Sequence, residues 1–288
     1  DHIGPNEHKD FDDYKYCKGL LFKQCKVGIV NSDSEHWEKV VEGHTCEIET
    51  FGVERKAKYQ AMDCCLVQRK QFMGSYFDLV GWYDSHITLS MPGLFNIYNA
   101  LAAIAVVSHF GIKSQTINFA MSNMKVKGRV EVVPVDAEYI IMIDYAHNSM
   151  SLRSMIETIR QYQPRRIICL FGCGGNRSRA RRFEMGEVSS ELADHTVVTN
   201  DNPRFENPAI IIEDIVTGVI RHNGSYSIIP DRKEAIRFCM KEAQPGDVII
   251  LAGKGHETYQ EICGVKYPMD ERILIQEICR EEEQRSNE

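Results

Sequence analysis

The run Val248-Ile249-Ile250-Leu251, followed one residue later by Gly253-Lys254-Gly255-His256-Glu257, decides the fold. Four consecutive large aliphatic residues, three of them β-branched, have the length and stiffness of a strand buried on both faces. The polar, glycine-bearing segment after them is built as a loop. Three more stretches repeat this pattern. Ile140-Ile141-Met142-Ile143 runs into Asp144-Tyr145-Ala146-His147, and Ile167-Ile168-Cys169-Leu170-Phe171 runs into Gly172-Cys173-Gly174-Gly175-Asn176-Arg177. Thr196-Val197-Val198-Thr199 leads to Asp201-Asn202-Pro203-Arg204. Helix-like stretches separate the four runs, and alternating strand and helix implies a parallel sheet. Ligands of such sheets bind outside the carboxyl ends of the strands, so all four polar segments are expected to line one cleft.

A length of 288 residues accommodates two cores. The best boundary candidate is Lys125-Val126-Lys127-Gly128-Arg129, because the strand–helix alternation starts just after it. The division expected is 1–128 and 129–288. Upstream of the boundary, Val27-Gly28-Ile29-Val30 reads as a strand. Phe51 to Ile87 alternates weakly, as an antiparallel hairpin region does, with Gly81 and Asp84 as turn residues. A helix is predicted from about Phe95 to Phe110 with Gly111 as its cap, and a second from Ser114 to about Met124.

A net charge of −7 without a basic stripe argues against a nucleic-acid surface. Ten cysteines without a C-x-x-C pair or zinc spacing point to reduced thiols rather than a disulfide framework. The longest apolar stretch, around Ala100 to Val107, is too short for a membrane span, and no signal peptide is visible. A soluble, cytoplasmic, monomeric protein is expected.

Taken in order, the four polar phrases resemble the C-terminal domain of the Mur ligases, in the branch that adds diaminopimelate to a UDP-linked muramoyl dipeptide. Asp1-His2, Lys18 and Gly93-Leu94-Phe95-Asn96-Ile97-Tyr98-Asn99 resemble the later half of that family's central ATPase domain. The fold implied is a C-terminal doubly wound, Rossmann-like α/β domain preceded by the later half of a P-loop-type α/β ATPase domain. The activity implied is ATP-dependent amide-bond formation in peptidoglycan biosynthesis. A carboxylate of UDP-N-acetylmuramoyl-L-alanyl-D-glutamate becomes an acyl phosphate, which the amine of meso-diaminopimelate attacks.

The resemblance assigns Mg²⁺ to His2 and to Lys18 as a carbamate, which turns a repelling ammonium into a hard oxygen donor. On its residues alone, Lys18 also reads as a solvent-exposed helix lysine. Asn96 matches an adenine contact, since an amide offers both donor and acceptor to a base edge, and it equally reads as a helix cap. Arg129 and Asp144 match positions that touch the nucleotide, and His147 either positions nucleotide or packs its turn. Asn148-Ser149 stand where the family commonly has threonine-proline.

For the amino acid, Arg204 and Arg177 match carboxylate-binding positions. Asp201 and Asn202 belong to the signature segment, Gly253 matches a backbone contact, and Glu257 can accept from an ammonium. The competing readings are an ordinary turn at Asp201-Asn202-Pro203 and a surface ion pair at Arg204. The cluster Arg177, Arg179, Arg181 and Arg182 is expected to attract anionic substrate or to be a solvated helix start. Lys254 does not belong to a phosphate loop, because no serine or threonine follows it and the glycine spacing is wrong. No G-x-x-x-x-G-K-[ST] occurs anywhere in the chain. The chain is therefore expected to be a fragment of such a ligase, inactive alone. A non-catalytic amino-acid-binding module and a related ligase of the superfamily are the alternatives.

Overall fold

The computed structural model describes residues 8–70, 72–82, 84–222 and 224–286. His2 lies outside the described residues. The chain divides into two compact units, 1–66 with 74–124, and 67–73 with 125–288.

The first unit contains α1 (Phe11–Gly19), β1 (Val27–Asn31), α2 (Trp37–Val40), β2 (Glu47–Gly52) and β3 (Tyr59–Arg69). β4 (Phe72–Val80), β5 (Ser85–Leu89), α3 (Leu94–Val107) and α4 (Ser114–Asn123) follow. Its five strands stand in chain order, β1-β2-β3-β4-β5. β4 and β5 are antiparallel, with Phe77 opposite Ile87, as the alternating pattern predicts. The reading of everything from Phe51 onward as antiparallel needs correction, because β3 joins β2 in parallel, with Phe51 opposite Tyr59. The reason is local: both carboxylate oxygens of Asp33 accept backbone N–H groups of the intervening loop, from Val53 (2.6 Å), Glu54 (3.0 Å) and Arg55 (2.7 Å). That carboxylate satisfies donors that a hairpin would have paired with a neighbouring strand. The core forms where Phe77, Leu79, Ile87 and Leu89 meet Ile97, Leu101 and Ile104 of α3. After α3 a short 3₁₀ turn ends on Gly111 in the left-handed region, the predicted cap.

The second unit contains β6 (Glu131–Val133), β7 (Ile140–Asp144), α5 (Ser149–Arg160), β8 (Ile167–Phe171), α6 (Ala180–Leu192) and β9 (His195–Val198). It continues with α7 (Pro208–Val219), β10 (Tyr226–Ile228), α8 (Arg232–Glu242), β11 (Val248–Ala252), the hairpin β12 (Tyr259–Ile262) and β13 (Val265–Pro268), and α9 (Glu271–Ser286). Six strands form one sheet in the order β10-β9-β8-β11-β7-β6. All neighbours are parallel except β6 against β7.

Alternation along the buried strands sends side chains to two cores. Met142, Cys169, Phe171, Val198 and Ile250 meet Leu152 and Ile156 of α5, Met185 of α6 and Ile215 of α7. On the other face Ile141, Ile143, Leu170, Ile249 and Leu251 meet Ile236 of α8 and Ile275 of α9. Helices therefore cover both faces, the doubly wound arrangement the sequence pattern predicts. Among the described residues no helix is long and apolar enough to cross a membrane, and all ten cysteines are free thiols.

Candidate functional site

The loops after β7, β8, β9 and β11 meet in a cleft of ≈ 490 Å³ lined by Tyr145, His147, Gly174, Arg177, Asp201, Asn202, Arg204, Gly253 and Glu257, among others. Parallel strands deliver all four polar segments to one edge, as expected.

The β9 loop is fixed by contacts on three sides. Gly175 N–H donates to the Asn202 carbonyl at 2.8 Å. A Cβ on Gly175 would stand 2.0 Å from the Pro203 carbonyl oxygen, so the loops approach as closely as only glycine permits. Arg204 takes φ 50° and is held there by pairing to the hairpin: its N–H donates to the Glu261 carbonyl (3.0 Å) and its carbonyl accepts from Cys263 N–H (2.7 Å). The Arg204 guanidinium donates through Nε to Glu261 Oε2 (3.2 Å) and through Nη1 to the Gly175 carbonyl (2.7 Å). Among the described residues Nη2 donates to no protein atom, so one prong of the Nη1–Nη2 fork is free and the other half-used. The surface ion pair weighed for Arg204 does exist, with Glu261, and it uses only the Nε donor.

Glu257 and Asn202 are bound to each other and to Lys254. Asn202 Nδ2 donates to Glu257 Oε2 at 3.0 Å, and Lys254 Nζ donates to the same oxygen at 2.9 Å. Burial pushes the Glu257 carboxyl upward, but the bonds from Lys254 and Asn202 and the charge of Lys254 outweigh it and hold it below the usual glutamate range. Asp201 is buried, and a carboxylate oxygen accepts from Asn202 N–H at 2.5 Å. The turn expected at Asp201-Asn202-Pro203 lies further on, where Glu206 N–H donates to the Pro203 carbonyl at 3.0 Å, and that expectation is corrected.

The β7 loop carries a different set. Both Asp144 oxygens are engaged, by Val130 N–H and by Ala146 N–H, each at 2.8 Å. Burial pushes its carboxyl above the usual aspartate range despite these bonds. Asp144 thus fastens the loop to the segment before β6. Exposed Arg129 lies 5.5 Å over the Tyr145 ring. Exposed His147 donates from Nδ1 to the Tyr145 carbonyl at 2.8 Å, which leaves Nε2 outward. Asn148, the departure from the family phrase, is the N-cap of α5 and accepts from Ser151 N–H at 2.8 Å, a capping box that replaces proline's helix start.

The four-arginine cluster is not one group, and that expectation is corrected. Arg182 is buried between Asp214 (3.1 Å) and Glu206 (2.8 Å), and Arg179 pairs with Asp214 at 2.7 Å. Only Arg177 and Arg181 reach the cleft.

In the first unit, Lys18 is exposed on α1, its ammonium 5.3 Å from the Tyr14 ring centroid. Asn96 is buried and is not the helix cap, a position Gly93 holds. Its amide donates to the Pro92 carbonyl at 2.7 Å and accepts from Asn99 at 3.0 Å. Sequence reasoning missed Lys254 and Glu261 as parts of the site. Lys254 had a usable signal, since glycines on both sides free its backbone to turn the side chain inward, whereas Glu261 had none.

A doubly wound sheet whose carboxyl edge carries guanidinium forks and a fixed carboxylate defines an α/β domain with a polar, charged cleft at the strand ends. Residues 1–107 match the Mur ligase middle domain and residues 128–255 the glutamate ligase domain of the Mur ligases. The chain belongs to the Mur ligase family. It is 39% identical over 278 residues to the UDP-N-acetylmuramoyl-L-alanyl-D-glutamate–2,6-diaminopimelate ligase of Caldanaerobacter subterraneus, with 96% of this chain and 57% of that one covered. The Bacillus cereus protein of the same name is 36% identical, at 96% and 57% coverage. A solved structure of a ligase of that name superimposes with a TM-score of 0.73 at 29% identity, over 98% of this chain and 58% of that one. Folylpolyglutamate synthase of Thermotoga maritima shares the fold alone, at 16% identity and a TM-score of 0.64 over 86% of this chain and 56% of that one. The chain thus spans a little under three-fifths of the curated relatives it matches.

Proposed function

We propose that the protein carrying this chain is an ATP-dependent ligase that joins meso-diaminopimelate to UDP-N-acetylmuramoyl-L-alanyl-D-glutamate, and that the cleft of the second unit is its amino-acid site. The observation that carries this reading is the presence of two opposite charges, Arg204 and Glu257, in one cleft. Arg204 offers a guanidinium fork, and Glu257 Oε1 accepts from no protein donor among the described residues. Diaminopimelate has a second amino-acid end, with its own carboxylate and ammonium. The carboxylate suits the Arg204 fork and the ammonium suits Glu257.

In the reaction, ATP supplies the phosphoryl group that turns a carboxylate of the nucleotide-dipeptide into an acyl phosphate. The diaminopimelate amine attacks that carbonyl, phosphate leaves with the C–O bonding pair, and the nitrogen gives up a proton. The residues of this chain bind and orient. Arg204, Arg177 and the Gly253 backbone hold carboxylate groups, Glu257 holds the ammonium while Asn202 fixes Glu257 through Oε2, and Asp201 supports the loop beneath them. In the second unit Arg129 and His147, with Asp144 shaping their loop, are assigned to the nucleotide.

Magnesium would be held by His2 and Lys18. Lys18 fits only as a carbamate, because its ammonium is a cation and would repel the ion. The bound ion would neutralise phosphate charge.

The test is product formation by the full-length protein from ATP, the nucleotide-dipeptide and meso-diaminopimelate, followed by phosphate release and product mass. A tripeptide product is expected with meso-diaminopimelate. No amide product with that amino acid refutes the reading.

A further inference from the structure

Lys254 is the largest charged side chain hidden completely in the second unit, with a relative exposure of 0%. An ammonium has three donors and no acceptor. All three are spent: on Asn202 Oδ1 at 2.8 Å, Glu257 Oε2 at 2.9 Å and the Tyr259 carbonyl at 2.6 Å. A buried lysine with no donor left cannot itself bind a ligand. It can only fix its acceptors, and two of the three are the polar side chains that face the amino-acid cleft.

The arrangement leaves Asn202 one orientation. Its Oδ1 accepts from Lys254 and from Glu261 N–H at 2.9 Å, so a flipped amide would set an NH₂ group against two donors. With Oδ1 so placed, Nδ2 points at Glu257 Oε2. That oxygen then carries two donors, and Oε1 is the carboxylate oxygen left for the cleft. The backbone is shaped to the same end. Gly253 and Gly255 have φ of 105° and 52°, which turns the lysine under the loop. A Cβ at Gly255 would stand 2.6 Å from the Tyr145 Cβ.

From this geometry we infer that Lys254 is a positioning residue for amino-acid recognition: its ammonium orders Asn202 and aims Glu257 Oε1 at the ammonium of the incoming amino acid. The inference rests on the reading of the cleft as the amino-acid site and adds to it the group that sets the site's geometry.

The experiment is steady-state kinetics of the full-length enzyme and its Lys254→Met variant, with KM measured separately for the amino acid, ATP and the nucleotide-dipeptide. Losing a charged hydrogen-bond donor that orders a ligand-binding carboxylate is expected to raise KM for the amino acid by about 30-fold. KM for ATP should stay within about threefold. An unchanged KM for the amino acid, or an equal rise for every substrate, overturns the inference, because a general loss of structure would not select one substrate. If Lys254→Met does not fold, the paired variant Lys254→Met with Glu257→Gln, which leaves no buried charge unpaired, is read against Glu257→Gln alone. A residue acting through Glu257 then adds no more than about threefold to KM, and a larger further loss overturns the inference. The amino acid used by the unmodified enzyme is the probe in every arm. Failure to use meso-diaminopimelate therefore refutes the substrate reading, while a silent Lys254 variant refutes only the positioning role.

Discussion

Replacing Arg204 by alanine removes the guanidinium proposed to bind the distal carboxylate of diaminopimelate, and the structure sets the size of the effect. The Nε donor is committed to Glu261 and one Nη1 hydrogen to the Gly175 carbonyl, so the ligand has the Nη2 group and the second Nη1 hydrogen. Charge-assisted bonds contribute roughly 1.5–3 kcal/mol each. The side chain is 21% exposed, so solvent screens part of this, and about 3 kcal/mol is the expected loss for the pair. That corresponds to about 150-fold in kcat/KM for diaminopimelate. Lysine, which lacks the distal carboxylate, should change little, so the ratio between the two amino acids narrows by nearly the same factor. Alanine keeps the φ 50° conformation at a cost similar to arginine's, since both carry a Cβ, and Glu261 is left half-exposed where water can solvate it. Arg204→Lys should recover little, because a point charge does not reproduce the fork. The assay is kcat/KM for both amino acids with the full-length enzyme and its two variants. An unchanged ratio in Arg204→Ala would refute the assignment of the carboxylate to this residue.

Lys18→Ala in the full-length enzyme should abolish turnover and regain part of it with an added short-chain carboxylic acid; retained activity or absent rescue would make Lys18 a surface residue only. Asp247 is wholly buried between Arg165 (3.1 Å) and Arg166 (2.7 Å). Burial raises its carboxyl, but the arginine and Gln244 N–H bonds outweigh this and hold it below the usual aspartate range. A depressed folded-state value stabilises the protein above the unfolded value of about 3.9 and is lost as pH falls through the folded one. Asp247→Asn should therefore cost about 2–3 kcal/mol at neutral pH, with the gap to the unmodified protein closing below about pH 4. Urea unfolding followed by circular dichroism at both pH values measures it, and a gap independent of pH would contradict the ion-pair account. Gly175→Ala should destabilise the second unit by about 2 kcal/mol, because the added methyl meets the Pro203 carbonyl. An unshifted urea midpoint would show that the two loops can part freely.

The sheet of the second unit was legible because its four central strands are buried on both faces, which leaves an aliphatic run with an abrupt polar end. The parallel turn from β2 to β3 was not, since it depends on Asp33 capturing three N–H groups some twenty residues away. Nor was the hairpin of β12 and β13, whose second strand is exposed throughout and so carries no apolar alternation. Residue types at the cleft were readable, but partners were not. Nothing in Arg177-Ser178-Arg179-Ala180-Arg181-Arg182 tells which guanidinium meets Asp214 of α7, and that pairing decides which arginines remain for a ligand. Lys254 shows the same gap from the other side: its glycine neighbours advertised an unusual turn, while its burial followed only from where Asn202 and Tyr259 converge.

The central claim, that the cleft is built for an amino acid with two charged ends, is tested most directly by kcat/KM of the unmodified full-length enzyme for meso-diaminopimelate and for L-lysine under identical conditions. A site organised around a guanidinium fork rejects the analogue that leaves it empty, so diaminopimelate should be preferred by about 10³-fold or more. Equal use of the two amino acids, or a preference for lysine, would contradict the account.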